Sequence, residues 1–142
     1  MSDISQTAAN VAIGVSTTPT RTVQVGESVT QGMPLYTSTD GKVYQCDAND
    51  TAVKAAVEYI ALTPAATDGY CLVALPSETP GRSLVNLGAT LAVGTVYAVS
   101  ATKGAIAPIA DISSTQFVTV LGIATTTALL DFQPSISNTA KA

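Results

Sequence analysis

A chain of 142 residues has the length of one ordinary domain, enough to bury a core, whereas two independent halves would each be marginal. Hydrophobic residues make up 46% of it, aromatics 5% and charged residues 11%, the last against a usual share of about 25%, which describes β structure with small, weakly charged faces, either bland and solvated or covered by other subunits. The net charge is −4, and the six basic residues (Arg21, Lys42, Lys54, Arg82, Lys103, Lys141) are scattered singly, so the chain carries no footprint for a phosphate backbone.

No apolar run reaches the roughly 20 residues needed to span a bilayer. Met1 to Gln6 lacks the cationic start and apolar stretch of a signal peptide, so export is not expected.

Residues 1–20 are mostly Ser, Thr, Ala and Asn with few aliphatics (Ile4, Val11, Ile13, Val15), which reads as an extended N-terminal arm with little core of its own. Alternation over 21–25 predicts a first strand, and residues 34–36 and 42–46 form a hairpin around Asp40-Gly41. Residues 50–59 are the one helical candidate, with Asp50 or Thr51 as cap. The aliphatic run at 57–62, leading into a strand from Ile60, limits it to one or two turns. A strand at 70–75 is opened by Asp68-Gly69 and closed by Pro76, and a Pro/Gly loop follows at 77–82. Further strands are expected at 83–87, 95–100, 106–109, 117–124 and 128–132, and residues 133–142 read as a small polar tail.

The chain says nearly the same thing twice. Gly26, Val29, Gly32, Leu35 and Tyr36 return as Gly88, Leu91, Gly94, Val96 and Tyr97. Each copy continues to a Gly (Gly41, Gly104), an Asp (Asp47, Asp111) and an aliphatic run (57–62, 118–123). The six glycines are read as turn residues between short strands. Two copies are too few for a solenoid, so the halves, about 21–76 and 83–132, are expected to share one core. Short strands with turn signals every eight to twelve residues predict an all-β fold, a compact β-barrel or sandwich.

The search for reactive groups yields little. With no histidine, acid–base or nucleophilic chemistry would rest on carboxylates, Lys, Tyr or Cys, and no G-x-S-x-G or phosphate loop is present. Asp47 and Asp50 lack the ligand pattern of a calcium loop and read as a turn and a helix cap. Cys46 and Cys71 read as small buried hydrophobes; a disulfide between them is the alternative, and close ligand pairs for zinc are absent. Tyr36, Tyr44, Tyr59, Tyr70 and Tyr97 read as half-buried strand residues, with a ligand platform as the alternative. No enzymatic activity, cofactor, metal or small-molecule substrate is expected.

The pattern from Gly26 through Pro34-Leu35-Tyr36 to Asp40-Gly41-Lys42-Val43, the stretch Ala61-Leu62-Thr63-Pro64-Ala65, and the second copy from Leu87 to Ser100 with Phe117 to Ala124 resemble the decoration (cement) proteins of tailed-bacteriophage capsids. The lambda-like group among these is similar in carrying an N-terminal arm on a β-barrel or β-tulip body, although this chain is longer and duplicated. The resemblance covers residues 21–132. It implies a virion protein on the outer capsid surface, assembled in the host cytoplasm as a homo-trimer that bridges major capsid protein subunits, without nucleic acid or membrane contact. Ile4, Val11, Ile13 and Val15 would then be arm anchors, with Arg21 as a charge contact. Two alternatives stand beside it: a head-fibre or tail-associated protein that binds a fibre or host glycan through a Tyr-lined face, and a biotinyl- or lipoyl-like carrier with Lys42 as its modified residue.

Overall fold

The structure, a computed structural model, describes residues 3–142; Met1 and Ser2, the first residues of the expected arm, lie outside the described residues. Eleven strands follow in order: β1 (Val11–Ile13), β2 (Thr20–Gln24), β3 (Pro34–Thr37), β4 (Val43–Gln45), β5 (Tyr59–Ala61), β6 (Tyr70–Ala74), β7 (Leu84–Leu87), β8 (Val96–Val99), β9 (Ile106–Pro108), β10 (Phe117–Ala124) and β11 (Leu129–Ala140). One helical turn, α1 (Ala52–Ala55), lies between β4 and β5, and 3-10 turns occupy Ala8–Asn10 and Ile109–Asp111. No described helix is long and apolar enough to cross a membrane.

The duplication read from the glycine and tyrosine pattern is a duplication of topology. The first half forms a five-stranded antiparallel sheet in the order β2-β6-β5-β3-β4. The second half repeats that order strand for strand as β7-β11-β10-β8-β9, with β1 added outside β7. The helical elements correspond as well, α1 following β4 and the 3-10 turn Ile109–Asp111 following β9. The all-β expectation holds, but as two open sheets rather than one closed barrel, because local patterns register strands and turns without registering closure.

Each sheet is nevertheless drawn round on itself. In the first, a single parallel bridge joins Val25, just past β2, to Val43 on β4 at the opposite edge, and the Gly26 N–H donates to Val43 O at 2.9 Å. In the second, the corresponding edges do not meet, and residues 4–13 fill the seam between them. The Ile4 N–H donates to Ile106 O on β9 (2.9 Å) and the Thr7 N–H to Gly88 O just past β7 (2.6 Å), and Val11, Ala12 and Ile13 pair with Leu87, Asn86 and Val85. The stretch expected as a free arm is thus built into the fold. Its Ser, Thr and Ala residues give no strand periodicity of their own, so its conformation depends on the edge it joins.

The polar tail is likewise a strand. β11 runs on to Ala140, with Ser135 opposite Val120, Ile136 opposite Thr119 and Ala140 opposite Phe117. The helical candidate shortens to four residues: the Thr51 side chain accepts the Lys54 N–H, Lys54 pairs with Asp50 at 2.6 Å, and Ala56 leaves the helix at ψ 77 as the chain enters β5.

The main core lies between the sheets and draws on both halves: Tyr36, Cys46, Val57, Ile60 and Leu62 from the first, Val85, Leu87, Tyr97, Val99, Leu121, Leu130 and Phe132 from the second, with Val11 and, packed against it, Ile4 from the N-terminal segment. The two tyrosines of the repeat, Tyr36 and Tyr97, both enter this core. A smaller cluster (Val25, Val29, Leu35, Val43, Ala61, Cys71, Val73) lies within the curl of the first sheet.

Two repeat glycines separate backbone conformation from space. Gly94 (φ 84°) has open space where a Cβ would sit, whereas a Cβ on Gly88 (φ 69°) would overlap Thr7 O and press on Val11. Gly94→Ala is therefore expected to cost about 1–2 kcal/mol, the left-handed penalty alone. Gly88→Ala costs distinctly more, because it also displaces the N-terminal segment. Equilibrium denaturation of the two variants measures the difference, and equal costs would contradict the seam.

Candidate functional site

Sheet edges are where an all-β protein meets other chains, because their unpaired N–H and C=O groups template a further strand. Three of the four edges of the repeated five-strand units are covered, although β1 itself ends the second sheet and β11 beyond Asp131 pairs with β10 alone. On β4, Val43 O is taken by Gly26 and the Gln45 N–H donates to the Glu27 carboxylate at 2.9 Å. On β9, Ile106 O is taken by Ile4, and β7 is covered by β1.

The β2 edge is different. Pro19 O accepts from Leu75 and the Val25 N–H donates to Gly69 O, so Pro19, Arg21, Val23 and Val25 direct their backbone groups to β6. By the alternation of antiparallel ladders, Thr20 and Thr22 direct theirs outward, as does Gln24 nearer the seam. Thr20, Arg21 and Thr22 are exposed. Opposite Thr22 and Gln24 stand Leu72 and Tyr70, two of the exposed large hydrophobics, Tyr70 at 67% and Leu72 at 38%. An open edge beside exposed apolar side chains is the arrangement by which sheets accept a strand.

The residues expected to anchor the arm separate into two groups. Ile4 packs against the core and Val11 is buried, so both are engaged with their own body. Ile13, 42% exposed, and Arg21 point outward, and Val15 is half-buried. Arg21 donates from Nη1 to the Tyr59 hydroxyl at 3.1 Å. Of the repeat glycines, Gly32, Gly41, Gly88, Gly94 and Gly104 have positive φ. Gly26 does not; its lack of a side chain makes room for the Tyr44 ring, which occupies the place a Cβ would take.

Leu72 and the outward backbone of β2 were not singled out from the sequence, and Tyr70 only as one of five tyrosines read as half-buried, whereas it is exposed. The alternation of Tyr70 and Leu72 with Cys71 and Val73 is visible there, but which face ends in solvent depends on where the second sheet stops.

A polar cleft between the halves is lined by Glu27, Tyr44, Asp47, Asp50, Lys54 and Lys103. Four of its five charges pair, Lys103 with Glu27 and Lys54 with Asp50, each at 2.6 Å, and Asp47 Oδ1 accepts the Asn49 N–H. At its margin the Tyr44 hydroxyl donates to Asp40 Oδ2 at 2.6 Å. That hydrogen bond pushes the Tyr44 phenol up to about 12 and holds Asp40 below the usual carboxylate range. Lys42, the carrier candidate, pairs with Asp68 at 2.7 Å. Of the five tyrosines only Tyr70 stands exposed; Tyr36 and Tyr97 are buried and Tyr44 and Tyr59 half-buried.

Cys46 and Cys71 are free and buried in different clusters, Cys46 between the sheets and Cys71 inside the first, with the Cys71 thiol 3.0 Å from Thr63 O. Desolvation pushes both thiols up, Cys46 furthest. Among the described residues no group of three or more His, Cys, Asp or Glu side chains is placed to hold a metal ion.

Comparisons with protein-family models, with curated proteins and with solved structures give no match.

Two outcomes follow from the local electrostatics. In an ultraviolet pH titration, one tyrosine ionises near pH 12, and Asp40→Asn brings that step down by removing the negative charge beside the phenol. At pH 8 the native protein leaves Cys46 unreactive toward a thiol reagent, while unfolded protein reacts at both cysteines; rapid native labelling of Cys46 would contradict its burial.

Proposed function

We propose that this chain is a virion structural protein that binds the outside of a bacteriophage capsid as a decoration protein, acting as a homo-trimer that bridges and stabilises major capsid protein subunits. The observation that carries the reading is the open β2 edge flanked by Tyr70 and Leu72 on a weakly charged all-β body. Such a surface takes up a partner through main-chain hydrogen bonds and a small apolar contact, with little demand on side-chain identity. Individually weak contacts of this kind become strong when repeated over a shell. The bacteriophage capsid as partner comes from the resemblance in the glycine, valine and tyrosine pattern.

The contact residues are narrowed relative to the arm reading. Ile13 and Arg21 face outward and remain candidates together with Tyr70, Leu72 and Thr22, whereas Ile4 and Val11 hold their own body together. The fibre or glycan alternative calls for a Tyr-lined exposed face, and Tyr70 alone meets that requirement.

The test is co-sedimentation of the purified protein with expanded, undecorated phage heads. Removing residues 1–20 is a poor probe, because it opens the seam of the second sheet. Leu72→Asp and Tyr70→Ala are better, since exposed substitutions usually change stability by no more than about 0.5 kcal/mol. Saturable binding by the parent protein, weakened about tenfold or more in Leu72→Asp at unchanged melting temperature, is the expected result. No binding by the parent sinks the proposal, and undiminished binding by both variants moves the contact away from β2 and β6.

A further inference from the structure

The N-terminal segment lies in a groove that the rest of the chain supplies in full. Gly88 O and Ile106 O accept its backbone N–H groups, and β7 provides the register for Val11, Ala12 and Ile13. The Gln6 amide donates to Gly32 O (3.1 Å) and Leu87 O (3.0 Å), tying the two halves through one side chain. The absence of side chains at Gly32 and Gly88 leaves room for Gln6, Thr7 and Val11. Asp3 meets the buried Ser100 hydroxyl. No ion pair among the described residues involves this segment, and only Ile4 and Val11 contribute aliphatic side chains to the core.

The segment is joined to the body by a short link. Thr18 is buried and fixed, its hydroxyl donating to Leu84 O (2.8 Å) and accepting the Leu84 N–H (3.2 Å). Between it and β1 lie residues 14–17: the Gly14 N–H donates to Leu84 O (2.6 Å) and the exposed Thr17 hydroxyl to Arg82 O (2.8 Å), so release gives up the Gly14 bond and turns about Val15 and the exposed Ser16. We propose that residues 3–13 are an exchangeable strand, which leaves its own seam and fills the same seam of a second copy, so that copies become linked by strand exchange.

A second copy is the partner because it presents a groove with the same acceptors, the same register and the same two glycine gaps. Each hydrogen bond and apolar packing interaction that the segment gives up on release forms again in trans, which makes exchange a low-cost route to association. The four-residue link spans at most about 14 Å when extended, so exchanging copies bring their β7 strands that close at Leu84. Short links hold a segment at an effective concentration of order millimolar, so exchange overtakes self-docking only where copies are comparably crowded.

Ala12 and Asn86 stand opposite one another and, by the Gly14 to Leu84 hydrogen bond two residues on, form a hydrogen-bonded pair, whose spacing of about 5.5 Å suits a disulfide. The test mixes full-length Ala12→Cys with full-length Asn86→Cys at millimolar concentration under mild oxidation, beside the double variant carrying both changes. The double variant is expected to close its bridge within one chain at low concentration. The mixture is expected to give a disulfide-linked pair of unlike chains, identified by mass, in a yield that rises with concentration. A mixture that stays monomeric while the double variant closes overturns the exchange. A double variant that fails to close overturns the docked register and the proposal with it.

Discussion

A sheet in a small protein has two faces and can shed water from them only by packing against something. Here the five-stranded and the six-stranded sheet each supply the cover for the other. The core between them takes Tyr36, Ile60 and Leu62 from one half and Leu87, Tyr97, Leu130 and Phe132 from the other. At about 1.5–3 kcal/mol for each large aliphatic or aromatic side chain fully buried, this shared layer is the principal favourable term, and neither half retains it alone. Strand order, the entry of the repeated tyrosines and the placement of the edges all follow from the need for two copies of one unit to face each other.

The two halves solve the problem of their remaining edges differently. In the first, Gly26 keeps an ordinary φ and its N–H reaches Val43 O, so the sheet draws its own edges together around Val25, Leu35 and Val73. In the second, the equivalent Gly88 has φ 69°, and its carbonyl accepts the Thr7 N–H instead of its N–H reaching β9. The seam is left wider, and residues 4–13 occupy it. The equivalent glycines thus differ in conformation along with their seams, the first closed on itself and the second filled by the N-terminal segment.

Much of this was legible in the sequence. The recurrence from Gly26 to Tyr36 and from Gly88 to Tyr97 located the duplicated unit, and alternation with turn signals located ten of the eleven strands to within a residue or two at most ends. Two stretches escaped: β1, made of Val, Ala and Ile within Ser and Thr, and the second half of β11, from Gln133 onward. Both are strands because a partner edge is present, a property of the assembled sheet that local composition does not record. For the same reason the aliphatics of residues 1–20 could be recognised as anchors but not assigned a surface. Ile4 and Val11 are covered by the core, whereas Ile13, two residues along β1 from Val11, is left exposed.

The β2 edge was beyond the reach of the sequence for a related reason. Residues 20–24 read as a strand whichever side is paired, and only the strand order shows that one side has no neighbour. Proteins usually protect such an edge with a bulge, an inward charge or a covering segment. This chain covers β4 with the Glu27 carboxylate and Gly26, β9 with Ile4, and β7 with β1, while Thr20 and Thr22 remain open next to Leu72 and Tyr70. An open edge invites aggregation if nothing binds it. Its persistence beside exposed apolar side chains is the physical reason to read this face as the one that meets a partner.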